Sequence, residues 1–444
     1  MSDRSGQTTD VIVLGAGIVG VSAAYAARQR NLSVILVDRR EPGSETSYGN
    51  AGIISSGSLL PLNKPSLWRA LPGYLTNRHA ALRWDPAWAI RNIDWIVRFL
   101  GNATPSRIKP RATALHGLIG ASLKLHREWI VKAGAAQRIR ETGWLKAWRS
   151  DAVAEAKAEQ AFLAEYGIKS QLLDRQAISA LEPNILPVYK VGLLHTQTAS
   201  VDSPGAVVKA YANMFLGSGG EIRQSDIKAI LPDGAGWRVV LADGKISARH
   251  LVVALGPWSA ELLRPLGYRV PLAFERGYHR EFEPNPARPL LRPIHDAEAS
   301  FLMTPMERGI RVTSGVELTA RDAPSSFAQL DQVVPLARGV VEFGATVGEP
   351  WRGARPTLPD SLPMIGPAPR HAGLWLAFGN QHIGFTTGTT ASSWANEEGA
   401  SRAVSSTPEV TRMPCSMGVM RKLPSASWIG RSNERAGFGL NSRW

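Results

Sequence analysis

Residues 10–38 read DVIVLGAGIVGVSAAYAARQRNLSVILVD. Residues 11–14 are a short, unbroken apolar run, as a strand buried on both faces requires. Gly15, Gly17 and Gly20 form GxGxxG where that strand would turn into a helix. The first glycine permits the tight turn, the second lets a pyrophosphate approach the backbone, and the third lets helix and strand pack closely. The helix N-terminus then meets the phosphates with its partial positive charge. An Ala-rich helix runs to about Arg30, and a second strand over 33–37 ends at Asp38, whose carboxylate can accept hydrogen bonds from ribose hydroxyls. A lone GxGxxG is weak evidence. Strand, glycines, helix, second strand and terminal acid in register are the context that gives it weight, and together they predict a dinucleotide site in an α/β fold.

The segment after Asp38 separates FAD from NAD. A plain NAD fold would continue with another βα unit, whereas residues 39–57 read RREPGSETSYGNAGIISSG, small and polar with four glycines. Such a loop can lay N–H groups and hydroxyls along an extended cofactor. Further along, the apolar run 251–255 ends in Gly256-Pro257-Trp258-Ser259, and a glycine there brings backbone close to a ligand or another strand. Residues 349–386 read EPWRGARPTLPDSLPMIGPAPRHAGLWLAFGNQHIGFT. Their glycines and prolines predict a rigid, non-helical passage as far as Pro369, then a strand over 374–378 and a glycine-rich turn into a second helix N-terminus. Arg352 and Arg355 stand in the rigid part. An arginine held this way suits a bidentate grip on a carboxylate, or equally a surface pair with Asp360. Tyr278 and His279, in Glu275-Arg276-Gly277-Tyr278-His279, either bond a substrate or sit in an ordinary strand.

Three segments carry a family resemblance. Residues 46–52 match T-S-x-x-N-A-G, residues 254–259 match A-x-G-x-W-S, and residues 353–366 match G-x-R-P-x-x-x-D-x-x-P-x-I-G. Together with the first βαβ unit, they resemble the D-amino-acid oxidase superfamily, especially the bacterial D-amino-acid dehydrogenases. The resemblance spans about residues 10–388 and is weak over 60–195. It implies an FAD-binding Rossmann-like domain with an interleaved mixed-sheet α+β substrate domain. The expected pieces are 1–85, 198–268 and 350–390 for the FAD domain, and 86–197 and 269–349 for the substrate domain. It further implies FAD contacts at Arg39, Ser47 and Asn50, adenine bracketed by Val201, and Gly256 against the cofactor. Backbone amides around Gly379, His382, Gly384 and Thr386 would face the flavin pyrimidine edge, and relatives place His where this chain has Asn380. Arg355 would hold the substrate carboxylate, with Tyr278 and His279 near the substrate.

The implied reaction is oxidation of the C–N bond of a small amino acid, above all a D-amino acid. Hydride passes from Cα–H to flavin N5, and the imino acid hydrolyses to a 2-oxo acid and ammonia. Such chemistry asks for orientation more than for a strong base, which agrees with the lack of a Ser/His/Asp or paired-carboxylate constellation. Two rivals stand beside it: a secondary-amine oxidase of the sarcosine, glycine or proline-derivative type using oxygen, and an inactive relic. The electron acceptor is expected to be a quinone or oxygen.

Composition bounds the rest. The chain has 444 residues, 44% hydrophobic and 20% charged, enough for two domains with their own cores. No apolar run approaches the roughly 20 residues of a membrane-spanning helix, and the polar first ten residues resemble neither signal nor anchor, so a cytoplasmic enzyme is expected. A single cysteine, Cys415, excludes an internal disulfide, and no metal site is expected from nine scattered histidines. The net charge of +14 is concentrated in residues 61–150, with sixteen Lys and Arg against four Asp and Glu and half of the 14 tryptophans. That segment is read either as a solvated basic face over a Trp-containing core or as a peripheral contact with an anionic membrane. Nucleic acid is not expected, because no helix-turn-helix, zinc-finger or RNP pattern accompanies the charge. After Thr386 the sequence loses its apolar period and becomes rich in Ser, Arg and Gly. Residues 391–444 are accordingly expected to be a non-family tail, either a reading frame shifted near Ala391 or a lineage-specific disordered segment.

Overall fold

The computed structural model describes residues 8–390; the expectations for the tail and for Cys415 lie outside them. Strand β1 (Thr8–Leu14) is followed by helix α1 (Ile18–Arg28) and strand β2 (Val34–Asp38). The two strands run parallel, with Val11 opposite Val34 and Leu14 opposite Val37. Residues 11–14 are all fully buried, since α1 covers one face and a second core layer the other. Gly15 has φ +106°, a conformation that disfavours any side chain. A Cβ on Gly20 would stand 1.7 Å from the Gly15 carbonyl oxygen, so helix and strand can meet this closely only with glycine at position 20.

Eight strands form this first sheet. Glu221–Gln224, β2, β1, Gly244–Val253 and Leu374–Phe378 lie parallel in that order, and Gly236–Leu241, Ile227–Asp233 and Met364–Pro367 add antiparallel edges. Helix Pro204–Gly217 packs with α1 on one face of the sheet. Proline opens that helix, where a missing N–H costs no helical hydrogen bond; Ser203 before it makes no cap bond, and Asp202 pairs with Arg138 at 3.1 Å.

A ten-stranded mixed sheet takes its strands from residues 82–195 and 273–357. Its centre is Ala273–Pro284, antiparallel to Gly309–Thr313, Val316–Leu318 and Phe343–Thr357. The last of these runs on through residues 350–357, so the rigid, non-helical passage begins as the end of a 15-residue strand, which crosses the expected boundary at 349/350. Register shifts at His279/Glu281 and Phe282/Pro284 keep the two strands paired despite their prolines and glycines. A small third sheet joins Ile53–Ser55, Thr198–Val201 and Ile139–Arg140. No helix among the described residues is long and apolar enough to cross a membrane.

Candidate active site

Four of the parallel strands, β1, β2, Gly244–Val253 and Leu374–Phe378, end beside a cavity of about 940 Å³. Ligands of open α/β sheets gather at such carboxyl ends, and the volume lies near the top of the usual range for small-molecule sites. Gly15, Gly17, Asp38, Arg39, Ser47, Asn50 and Gly256 all line it. Asp38 accepts from the Ala16 amide at 2.6 Å and the Arg40 amide at 3.0 Å. A carboxylate has about four acceptor positions, so two remain for a diol. Burial pushes the Asp38 carboxyl above its ordinary range, and those two amides oppose the shift. Ser47 accepts from the Ile18 amide at 3.0 Å and so ties the polar loop to the start of α1. Asn50 bridges the Ser47 carbonyl and the Gly52 amide, both at 2.6 Å, which fixes the next turn. Arg39 pairs with Glu45 at 3.1 Å and lies over the Trp258 ring at 4.4 Å.

The far end is built by residues 380–386. His382, Gly384 and Thr386 line the cavity, and Thr386 links to the Ile53 carbonyl and Ser55 amide at 3.2 Å. His382 is open to the cavity yet lies deep in the protein. Its imidazole is held down to about 4 by burial and by the charge of Arg355. Gln381, at φ +50°, also lines the cavity, and its buried Nε2 has no partner among the described residues. An orphaned donor facing a ligand space, a glycine turn and an acid with free acceptor positions are groups that would suit FAD.

Arg355 lies between these ends in a distinctive setting. Its guanidinium lines the cavity and makes no hydrogen bond or ion pair among the described residues. Gly277 is its neighbour on the adjacent strand. A Cβ there would come within 2.5 Å of Arg355 Nη2, so glycine makes room for the guanidinium. Glu275 is the register partner of Arg355 and is buried. Burial pushes the Glu275 carboxyl up to about 7, with Arg355 acting in the opposite direction. Burial lowers the pKa of Arg355 itself, again opposed by Glu275. Asp360, the alternative partner, instead lies near Arg111, which donates to its backbone carbonyl at 3.1 Å. Arg352 lines no part of the cavity and donates to the Ala323 carbonyl at 2.9 Å.

Other expected positions are less directly placed. Tyr278 borders the cavity, but its hydroxyl is already engaged with Arg276 and Glu317 and accepts from the Ser326 amide at 3.3 Å. His279 stands outside the lining, with Nδ1 3.1 Å from the Gly49 carbonyl and its ring stacked on Trp351 at 5.0 Å. Burial and the nearby Arg311 hold it neutral, down to about 3. Val201, Gly20 and Gly379 also lie outside the lining: Val201 is buried in the core, Gly20 packs on Gly15, and Gly379 turns the chain at φ +85°. Sequence reasoning missed Trp351, Trp144, His295 and Lys64, all of which line the cavity. Only the crowding of tryptophans in 61–150 hinted at one of them.

The geometry agrees with what the chain is similar to. A D-amino-acid oxidase from Bradyrhizobium diazoefficiens is 30% identical over 394 residues, covering 84% of this chain and 91% of that protein. A D-amino acid dehydrogenase from Rhizobium johnstonii is 31% identical over 398 residues, covering 85% and 93%. Among solved structures, glycine oxidase from Bacillus cereus superposes with a TM-score of 0.68 at 17% identity, covering 89% of this chain and 95% of that one, a likeness of fold. Residues 10–397 match the DAO family model, described as FAD dependent oxidoreductase, and the chain belongs to that family.

Proposed function

We propose that this chain oxidatively deaminates a small D-amino acid, with Arg355 gripping the substrate carboxylate. The observation that carries the reading is a half-buried guanidinium that lines the cavity and has no protein partner among the described residues. A bidentate contact from its planar fork would fix the carboxylate and so the Cα–H next to it. FAD, when bound, supplies the acceptor for the hydride and its electron pair. Asp38 and the glycine turn would hold the nucleotide half, and residues 380–386 the isoalloxazine half. The substrate amine is left to carry the positive charge that develops at nitrogen, and water hydrolyses the released imino acid to a 2-oxo acid and ammonia. The names of the 30–31% identical relatives favour the D-configuration.

The electron acceptor in this reading is a membrane quinone rather than oxygen, because residues 66–101 present a surface suited to a bilayer. Helix Ser66–Leu75 buries none of its residues, and Trp68, Leu75, Ile90, Ile93 and Val97 are exposed beside the exposed Arg69, Arg78, Arg91 and Arg98. Amphipathic apolar contacts next to several basic residues favour anionic lipid, at about 1 kcal/mol per Lys or Arg near the surface. The deciding experiment is a panel of D- and L-amino acids and N-methyl amino acids given to flavin-loaded protein, with reduction of a quinone-like dye followed with and without oxygen. D-amino acids should reduce the dye and release ammonia; turnover confined to N-methyl substrates would overturn the reading.

A further inference from the structure

One arm of the cavity is not needed by the deamination reading. It is lined by Lys64, Trp144, His295, Phe301 and Leu302. Four cationic side chains line the whole cavity: Arg39, Lys64, Lys228 and Arg355. Arg39 is paired with Glu45 at 3.1 Å, and Lys228 with Asp226 at 3.6 Å. Arg355 is reserved for the α-carboxylate. That leaves Lys64, whose ammonium makes no hydrogen bond or ion pair among the described residues.

The surroundings compensate Lys64 only at a distance: the charges of Glu159 and Glu155 favour its ammonium, but neither carboxylate bonds it. The nearest buried acid, Glu159, is bonded to Lys146 at 2.5 Å and otherwise turns toward His195 at 3.8 Å. Trp144 is stacked between His195 at 4.6 Å and His295 at 5.9 Å. Burial holds both imidazoles neutral, His195 down to about 4 and His295 to about 3. The Trp144 indole N–H, a donor only, is buried without a hydrogen-bond partner among the described residues, as are both ring nitrogens of His195 and Nδ1 of His295. Burial, and the second ammonium at Lys146, lower the pKa of Lys64. An anion in the arm would relieve both effects, and an apolar side chain would relieve neither.

We propose that this arm receives a carboxylate carried on the substrate side chain, so that Lys64 selects acidic, dicarboxylic amino acids. The inference rests on the deamination reading and deepens it by naming the substrate class. Arg355 and Lys64 then act as two anchors, one for each carboxylate, in one continuous cavity.

The test compares acid and amide of the same size on flavin-loaded enzyme: D-glutamate against D-glutamine, and D-aspartate against D-asparagine. At least one acid should exceed its amide in kcat/KM by about 30-fold or more, the scale of a desolvated charge pair. Lys64→Met should cut that acid-to-amide ratio by a similar factor, and Lys64→Arg should keep most of it. Glutarate should also inhibit the unmodified enzyme more tightly than butyrate does, a measurement that needs no variant. Acid and amide turned over equally, or a ratio that survives Lys64→Met, would overturn the inference while leaving deamination intact. Loss of flavin from Lys64→Met would overturn it too, by assigning Lys64 to the cofactor. Failure of every D-amino acid would sink the deamination reading instead.

Discussion

Replacing Arg355 with alanine removes the only cation that the proposed α-carboxylate site contains. Because the guanidinium has no protein partner among the described residues, the substitution breaks no internal hydrogen bond that would unfold the site. It does leave Glu275 without its balancing charge. That carboxyl is already pushed up to about 7, so it can stay protonated and neutral at little cost. The loss should therefore fall on the substrate. A desolvated charge pair broken on one side costs on the order of 2–5 kcal/mol, or roughly 30- to 5000-fold in kcat/KM. The assay is a flavin-to-protein absorbance ratio, followed by kcat/KM for the best D-amino acid and for the amine lacking its carboxylate. Flavin content should stay near that of the unmodified protein while kcat/KM for the acid collapses, and the amine should be nearly indifferent. Arg355→Lys should recover only part, since an ammonium cannot reproduce the planar fork. Arg352→Ala is the control, because that side chain bonds the Ala323 carbonyl away from the cavity. If Arg352→Ala is the more damaging change, or Arg355→Ala acts by releasing flavin, the carboxylate must be held elsewhere.

Gly17→Val should abolish stoichiometric flavin, because Gly17 lines the cavity and even a Cβ there comes within 3.3 Å of Ser47 Oγ; a fully yellow variant would remove the phosphate turn from this position. Asp38→Ala should weaken FAD binding and disturb the Ala16 amide it now satisfies, seen as a raised dissociation constant on flavin titration. The surface around Trp68 and Ile90 should bind anionic vesicles at low salt and release them as the Debye length falls from about 10 Å at 0.1 M to about 3 Å at 1 M; no sedimentation with vesicles at low salt would leave only a solvated basic face. Glu275, with its folded pKa raised to about 7, favours the fold in its neutral form, so its contribution is complete below about 4.5 and is lost as pH rises through about 7. Glu275→Gln should flatten that decline in urea stability between pH 5 and 8, which for one such group approaches about 1.4 kcal/mol per pH unit; a decline of unchanged slope would assign it to other groups.

The nucleotide end was legible because its determinants are local. Gly15, Gly20 and Asp38 lie within one βαβ unit, so spacing alone places them together. Arg355 was legible as a residue but not as a site. Its setting depends on pairing between Phe343–Thr357 and Ala273–Pro284, strands about 70 residues apart in sequence order, and glycines and prolines hid the first of them. The same pairing decides the fate of the neighbouring candidates. Successive strand residues face opposite ways, so Gly277 opens room for Arg355, whereas the Tyr278 hydroxyl turns to Arg276 and Glu317. Lys64 was invisible because its meaning lies in what it lacks: Glu159, on helix Val153–Ala164, is bonded instead by Lys146 of strand Trp144–Trp148.

The Glu275–Arg355 pair explains how a strong anion site can persist before substrate arrives. A fully ionised carboxylate in hydrogen-bond contact would satisfy the guanidinium and compete with every incoming α-carboxylate. Complete absence of an acid would leave a cation buried with no compensation at all, a costly arrangement. Glu275 lies between these extremes. It is the register partner of Arg355 and close enough to favour its charge, yet burial holds its own carboxyl up to about 7. Near neutral pH it is therefore only partly ionised, and the fork of Arg355 stays unshared. When a substrate carboxylate binds, its added negative charge should raise the Glu275 pKa further and drive the acid to its neutral form. Binding should then take up a proton, and this uptake should be largest just above pH 7, where free Glu275 is mostly ionised. Calorimetric titration of the holoenzyme with a non-oxidisable carboxylate, in buffers of different ionisation enthalpy, measures it directly. Proton uptake of up to about one per site that disappears in Glu275→Gln is the expected result, and uptake unchanged in that variant would refute the coupling.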